Sequence, residues 1–158
     1  MYDRPFNRAL SSEYKLNVMC DDYTTIYYDG VAQKNVPGTG NWNTLATTNI
    51  PSSTKEVMIK CVNVHGGLNG IKAEILDVGT GKTVSETGKS WQCSTSASGG
   101  FKPASIDHGL DAPWKHKAGS GSVIWTSSNK DVTAYCKIGL PPGGYRETAN
   151  HGPANSGP

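Results

Sequence analysis

Two adjacent carboxylates, Asp21 and Asp22, sit between the apolar run YKLNVMC and the β-rich run YTTIYYDG. Neighbouring charges where a strand bends are costly unless backbone amides or a cation compensate them. Paired oxygen donors of this kind suit calcium, so Asp21 and Asp22 form a candidate metal pair with Ca2+ as its ion. The alternative is that one aspartate caps a turn while the other is solvated. Tyr23 follows the pair directly and Trp42 lies in a glycine-rich loop. Both are candidate ligand contacts, because the apolar C–H face of a sugar packs on an aromatic ring. Trp91, Trp114 and Trp125 read as core residues, and of Tyr27 and Tyr28, which alternate across a strand, at most one faces solvent.

Other chemistries fail on spacing. The run GTGKT at 79–83 resembles a phosphate loop, but the motif needs glycine five residues before Gly81, where Leu76 stands. It also joins two strand-like runs, with no helix N-terminus to receive a phosphate. His65, His108, His116 and His151 lie in loops or the tail, and no nucleophile elbow is present. His108 and His116 could meet Asp107 and Asp111 in one long loop, an arrangement that polar loop residues adopt without function. Fifteen basic and thirteen acidic residues, only three of them Arg, are scattered without a basic run, which argues against nucleic acid as a partner. No stretch approaches the ~20 apolar residues of a membrane span. The start, MYDRPFNRAL, lacks the apolar segment of a leader, so a secretion signal is expected to have been removed or replaced by Met1.

Cys20, Cys61, Cys93 and Cys136 are widely spaced. Zinc ligands usually come in close pairs, so the cysteines read as two disulfides of a secreted protein, with four buried thiols as the alternative. Four cysteines allow three connectivities.

The elements that position these residues are strands. Nineteen glycines and nine prolines suit turns between strands better than helices. Alternation predicts strands over 14–20 and 23–28, with Asp29-Gly30 as a turn, and another in TLATTNI before Pro51. The run EVMIKCVNV (56–64) predicts a central strand covered on both faces. Residues 71–78 and 82–93 read as a hairpin, and 122–126 and 131–140 as two further strands. Residues 94–122 form a long Ser-, Gly- and Pro-rich loop with Phe101, Ile106, Leu110 and Trp114 as anchors. About eight strands and no helix indicate an all-β β-sandwich or jelly roll. The expected organisation is an N-terminal arm (1–12), the sandwich (13–140) and a flexible tail (141–158).

The series CDDYTTIYYDG (20–30), NW (41–42), VMIKCVN (57–63), HGGLNGIKAEI (65–75), SWQCS (90–94), DAPW (111–114), VIWT (123–126) and AYCKI (134–138) resembles metazoan extracellular jelly-roll modules. These are galactose-binding-domain-like and related to rhamnosidase accessory domains. The resemblance implies that Asp21, Asp22, Asn63, Gly66, Gly67 and Asn69 share one rim, with His65 beside them. It therefore implies Asn63, His65 and Asn69 as ligand-binding residues, and a Cys20–Cys61, Cys93–Cys136 pairing, because Cys20 and Cys61 each precede a rim segment. A looser likeness to yeast flocculin-type adhesin domains implies a calcium that itself binds sugar hydroxyls, although the further ligand loops of those domains are missing here.

The expectation is a secreted, extracellular, lectin-like carbohydrate-binding module without enzymatic activity, calcium-assisted, with glycans as partners. The alternative is a structural or adhesive extracellular-matrix protein, which could form homo-oligomers. A glycan-active enzyme, with distant carboxylates such as Glu74 and Asp107 converging, ranks third.

Overall fold

The computed structural model describes residues 13–141. The expected arm (1–12) and, Pro141 apart, the tail (141–158) lie outside the described residues. Twelve strands follow one another: β1 (Tyr14–Asp21), β2 (Tyr23–Tyr28), β3 (Val31–Ala32), β4 (Ala46–Ile50), β5 (Glu56–Val62), β6 (Gly70–Asp77), β7 (Thr83–Glu86), β8 (Gln92–Ser94), β9 (Lys102–Pro103), β10 (Ser105–Ile106), β11 (Ile124–Trp125) and β12 (Thr133–Gly139). Among the described residues there is no helix.

The strands form two antiparallel sheets. The first has the order β10-β11-β6-β1-β4, with β7 also paired to β6; the second has the order β3-β2-β5-β12-β8-β9. Alternation explains the layering, since successive side chains point to opposite faces. Leu16, Val18 and Cys20 of β1 and Ile71, Ala73 and Ile75 of β6 meet Ile26, Val57, Ile59, Cys61, Ala134 and Cys136 of the second sheet in one buried cluster. Trp91 and Trp125 complete it, both fully buried, and truncating either to alanine costs ~3–5 kcal/mol.

Both disulfides have the expected pairing. Cys20–Cys61 joins β1 of the first sheet to β5 of the second. Cys93–Cys136 links residues directly opposite on β8 and β12.

Three sequence-based expectations change. The run 82–93 is two strands rather than one arm of a hairpin: β7 pairs with β6, and the chain then crosses to the second sheet as β8. The crossing is set at Thr87, whose hydroxyl donates to the Ser122 carbonyl at 2.6 Å, and at Gly88, whose carbonyl accepts the Trp91 N–H, which turns the Trp91 indole into the core. The strand at 56–62 is central in its sheet, but its outer face is covered only in part: Met58 is buried while Lys60 and Val62 are half-buried. The count rises from about eight to twelve, because the split of 82–93 adds one strand and β3, β9 and β10, of two residues each, add three.

The 94–122 loop is tied down by its own apolar residues. Leu110, Trp114, Ala118 and Val123 form a second small core with Met19 on the outer side of the first sheet. Gly70 lies beneath it because a methyl there would run into Val123. Lys72, also beneath it, donates from Nζ to the Trp114 carbonyl at 2.8 Å. Burial pulls its ammonium below the usual lysine range, opposed by the charges of Asp111, Glu74 and Glu86.

Candidate functional site

β1 ends at Asp21 and β2 begins at Tyr23, so Asp21 and Asp22 lie where the chain leaves one sheet for the other. Asp21 is in register with Gly70, the first residue of β6. The Asp22 N–H donates to the carbonyl of Val62, the last residue of β5, at 2.8 Å. The peptide bond between the two aspartates is cis, and the Cys20–Cys61 disulfide lies just before both segments. By register, therefore, Asn63 and Asn69 stand on either side of the acidic pair.

The two carboxyls behave differently. Asp22 Oδ2 accepts the Val64 N–H at 2.9 Å. Burial works against its charge, but the hydrogen bond with Asp21 and the backbone N–H groups of Val64 and His65 hold it below the usual carboxylate range. Asp21 is half-buried; burial, then the hydrogen bond and charge of Asp22, push it up to about 7. Asp22 thus does cap the 63–67 turn, while Asp21 is not simply solvated. Two carboxylates this close favour sharing a proton or accepting a cation.

Beside the turn opens a cleft of ≈ 750 Å³, lined on one side by Asn63, Val64, Gly66 and Gly67 and on the other by Asn129, Lys130, Asp131 and Val132. Hydrogen bonds hold the two walls together. Asn63 N–H donates to the Val132 carbonyl at 2.8 Å, and Asn69 Nδ2 donates to the Asn129 carbonyl at 2.7 Å. The second wall is fixed from below by Trp125 Nε1 on the Asp131 carbonyl and by the Thr126 hydroxyl on Asp131 Oδ2. Gly66 and Gly67 have φ of 70° and 73°, which glycine adopts without cost, and nothing lies within 4 Å of where a Cβ would be.

Asn63 and Asn69 are 7% and 2% exposed, and the Oδ1 of each is buried without a hydrogen-bond partner. Most buried polar atoms are paired, so these two acceptors await a donor or a cation. Among the described residues no group of three or more His, Cys, Asp or Glu side chains converges as a metal centre. The donor types at this end of the sandwich are the two adjacent carboxylates and the amide oxygens of Asn63 and Asn69. Calcium takes donors of these types.

The remaining candidates separate: Tyr23 directly follows the pair and His65 lies in the turn, whereas Trp42 is hydrogen-bonded to Trp114 of the second small core. Tyr23 is 48% exposed and Trp42 40%, and His65 is exposed in the turn. Loop 36–45 lies against the start of β2, where Thr24 N–H donates to the Thr39 carbonyl at 2.9 Å. Trp42 is held through its carbonyl by Trp114 Nε1 at 3.1 Å, and thus belongs to that loop rather than to the glycine turn. His108 and Asp111 do meet, at 2.7 Å, but at the surface, with side chains 79% and 52% exposed.

Sequence reasoning missed the second wall, Asn129–Val132. Its only trace is the polar break SSNKD between two strand-like runs, which is indistinguishable from an ordinary turn.

No protein-family model matches the chain, and no curated protein or solved structure matches it either.

Proposed function

We propose that the protein is an extracellular glycan-binding module, a galactose-binding-domain-like jelly roll whose rim holds calcium at Asp21 and Asp22. The observation that carries this reading is the pair of buried, unpartnered Oδ1 atoms of Asn63 and Asn69, residues that follow β5 and precede β6 where those strands meet the acidic pair, with Asn63 also on the wall of the cleft. Two disulfides are compatible with an oxidising, extracellular setting.

The open Gly66-Gly67 backbone lets the sugar ring approach the cleft wall that Asn63 and Val64 form. Val64 and Val132, 46% and 58% exposed, present apolar walls to its C–H face. Asp21, Asp22 and the neighbouring amide oxygens hold calcium, which when bound neutralises the pair and offers positions for sugar hydroxyls. Tyr23, beside the pair, supplies a ring for stacking.

A glycan array probed in calcium and in chelator tests the reading. Binding to a defined set of glycans in calcium, lost in chelator and in Asp22→Asn, is expected. No binding in either condition sinks the lectin reading, and concentration-dependent assembly without sugar would favour a matrix role instead. Calcium itself is tested by unfolding: at about 100 times its Kd an ion specific for the folded state stabilises by ~2.7 kcal/mol. An unchanged midpoint on chelation at matched ionic strength excludes a tight site.

A further inference from the structure

The outer face of the second sheet begins at the cleft. Asn63 and Val132 line the cleft, and the next residues inward, Val62 and Thr133, are register partners on β5 and β12. The next outward-facing row is Thr25, Lys60 and Tyr135, and the one after is Tyr27, Met58 and Lys137. From Val62 to Met58 the strand runs ~13 Å, enough for two or three sugar units.

This face differs from an ordinary solvated sheet surface in what its lysines do. Lys137 Nζ lies 4.1 Å from the centre of the Phe101 ring, and Lys60 Nζ lies 5.7 Å from that of Tyr135. Ammonium groups held over ring faces are fixed at the height of the rings, with their stems spread along the sheet. Glu56 Oε2 lies 3.7 Å from Lys137 Nζ. Tyr27, in the row of Met58 and Lys137, offers ring area to a pyranose, and the lysines offer positive charge at its edge.

We propose that this face binds an anionic polysaccharide, carboxylated or sulfated, whose chain continues from the cleft along β5 and β12. The inference rests on the glycan reading above and adds the class of glycan and the path of its chain. The described strands contain no arginine, the side chain that grips phosphate bidentately, and nucleic acid enters the test as the competing polyanion.

The test is binding of the full chain to dextran sulfate, hyaluronate and uncharged dextran, each in calcium and in chelator. Retention of at least one anionic polymer, but not of dextran, is expected in both conditions. Lys60→Gln/Lys137→Gln should weaken it at least tenfold, and Tyr135→Ser at least threefold, with near-ultraviolet circular dichroism unchanged. Lys15→Gln/Lys82→Gln removes the same charge from the first sheet and its turn, and should change binding less than twofold. Equal losses in the two double variants would reduce the effect to net charge and overturn the proposal. So would failure of the wild type to bind either anionic polymer, or displacement of the polymer by an oligothymidylate at equal charge concentration. The chelator arm separates this result from the rim, since Asp22→Asn should abolish calcium-dependent array binding and leave polymer retention in chelator intact.

Discussion

Asp22 Oδ2 accepts the Val64 N–H at 2.9 Å, so an acidic side chain at the exit of β1 shapes the turn after β5. The contact spans 42 residues of sequence and ties the acidic pair to the cleft wall. Asp22→Ala should cost ~1–3 kcal/mol by leaving turn N–H groups unpaired, whereas Asp22→Asn, which keeps an acceptor, should cost less. Urea unfolding in chelator measures both. Equal stability of wild type and Asp22→Ala would show that the turn does not depend on the carboxylate.

Asp21 should make the calcium-free protein less stable as pH rises. Its folded pKa of about 7 lies above its ordinary 3.8, so the folded state binds the extra proton between these values. Its contribution is complete below about pH 4 and is lost as pH climbs to about 7. Asp22 has the opposite sign, contributing above its ordinary value and losing that contribution only in stronger acid. Urea midpoints from pH 4.5 to 8 should therefore fall more steeply for wild type than for Asp21→Asn. Parallel profiles would contradict the raised carboxyl.

The two disulfides should differ in what their removal disturbs. Each closes a loop of about 40 residues, for which the chain-entropy picture gives ~3–4 kcal/mol. Replacing Cys20 and Cys61 by alanine should in addition weaken calcium binding, since that bridge lies beside the rim. Replacing Cys93 and Cys136 should lower stability with calcium affinity unchanged. Calorimetric titration with calcium and denaturant midpoints of the two variants decide this, and equal calcium affinities would separate the rim from its bridge.

Trp42 should be the one tryptophan of the four that reports on solvent. It is 40% exposed, whereas Trp91, Trp114 and Trp125 are at most 1% exposed. Iodide should quench a single component of the emission, and Trp42→Phe should remove that component. Substantial iodide quenching remaining in Trp42→Phe would mean that a core indole opens to solvent.

Much of the fold is legible in the chain because alternation is a local signal. YKLNVMC, with Leu16, Val18 and Cys20 on one side, and IKAEILD, with Ile71, Ala73 and Ile75, announce one-sided strands, and both contribute to the core. The burial of three tryptophans and the exposure of Trp42 were also readable. The split of 82–93 was not, because Thr87 and Gly88 turn the chain only by bonding to Ser122 and Trp91, the first of these 35 residues away. The burial of Lys72 in IKAEILD is likewise not local, since a loop arriving from 107–123 covers it.

The candidate site divides in the same way. That Asp21-Asp22 breaks an apolar run, and that Gly66-Gly67 marks a turn, follows from residue types alone, because charge and glycine act where they stand. That Asp22 caps the 63–67 turn, that Asn63 and Asn69 bury unpaired oxygens beside it, and that Asn129–Val132 closes the cleft came only with tertiary structure. Antiparallel pairing brings together residues tens of positions apart, and no local pattern encodes which loops will meet at the end of a sandwich.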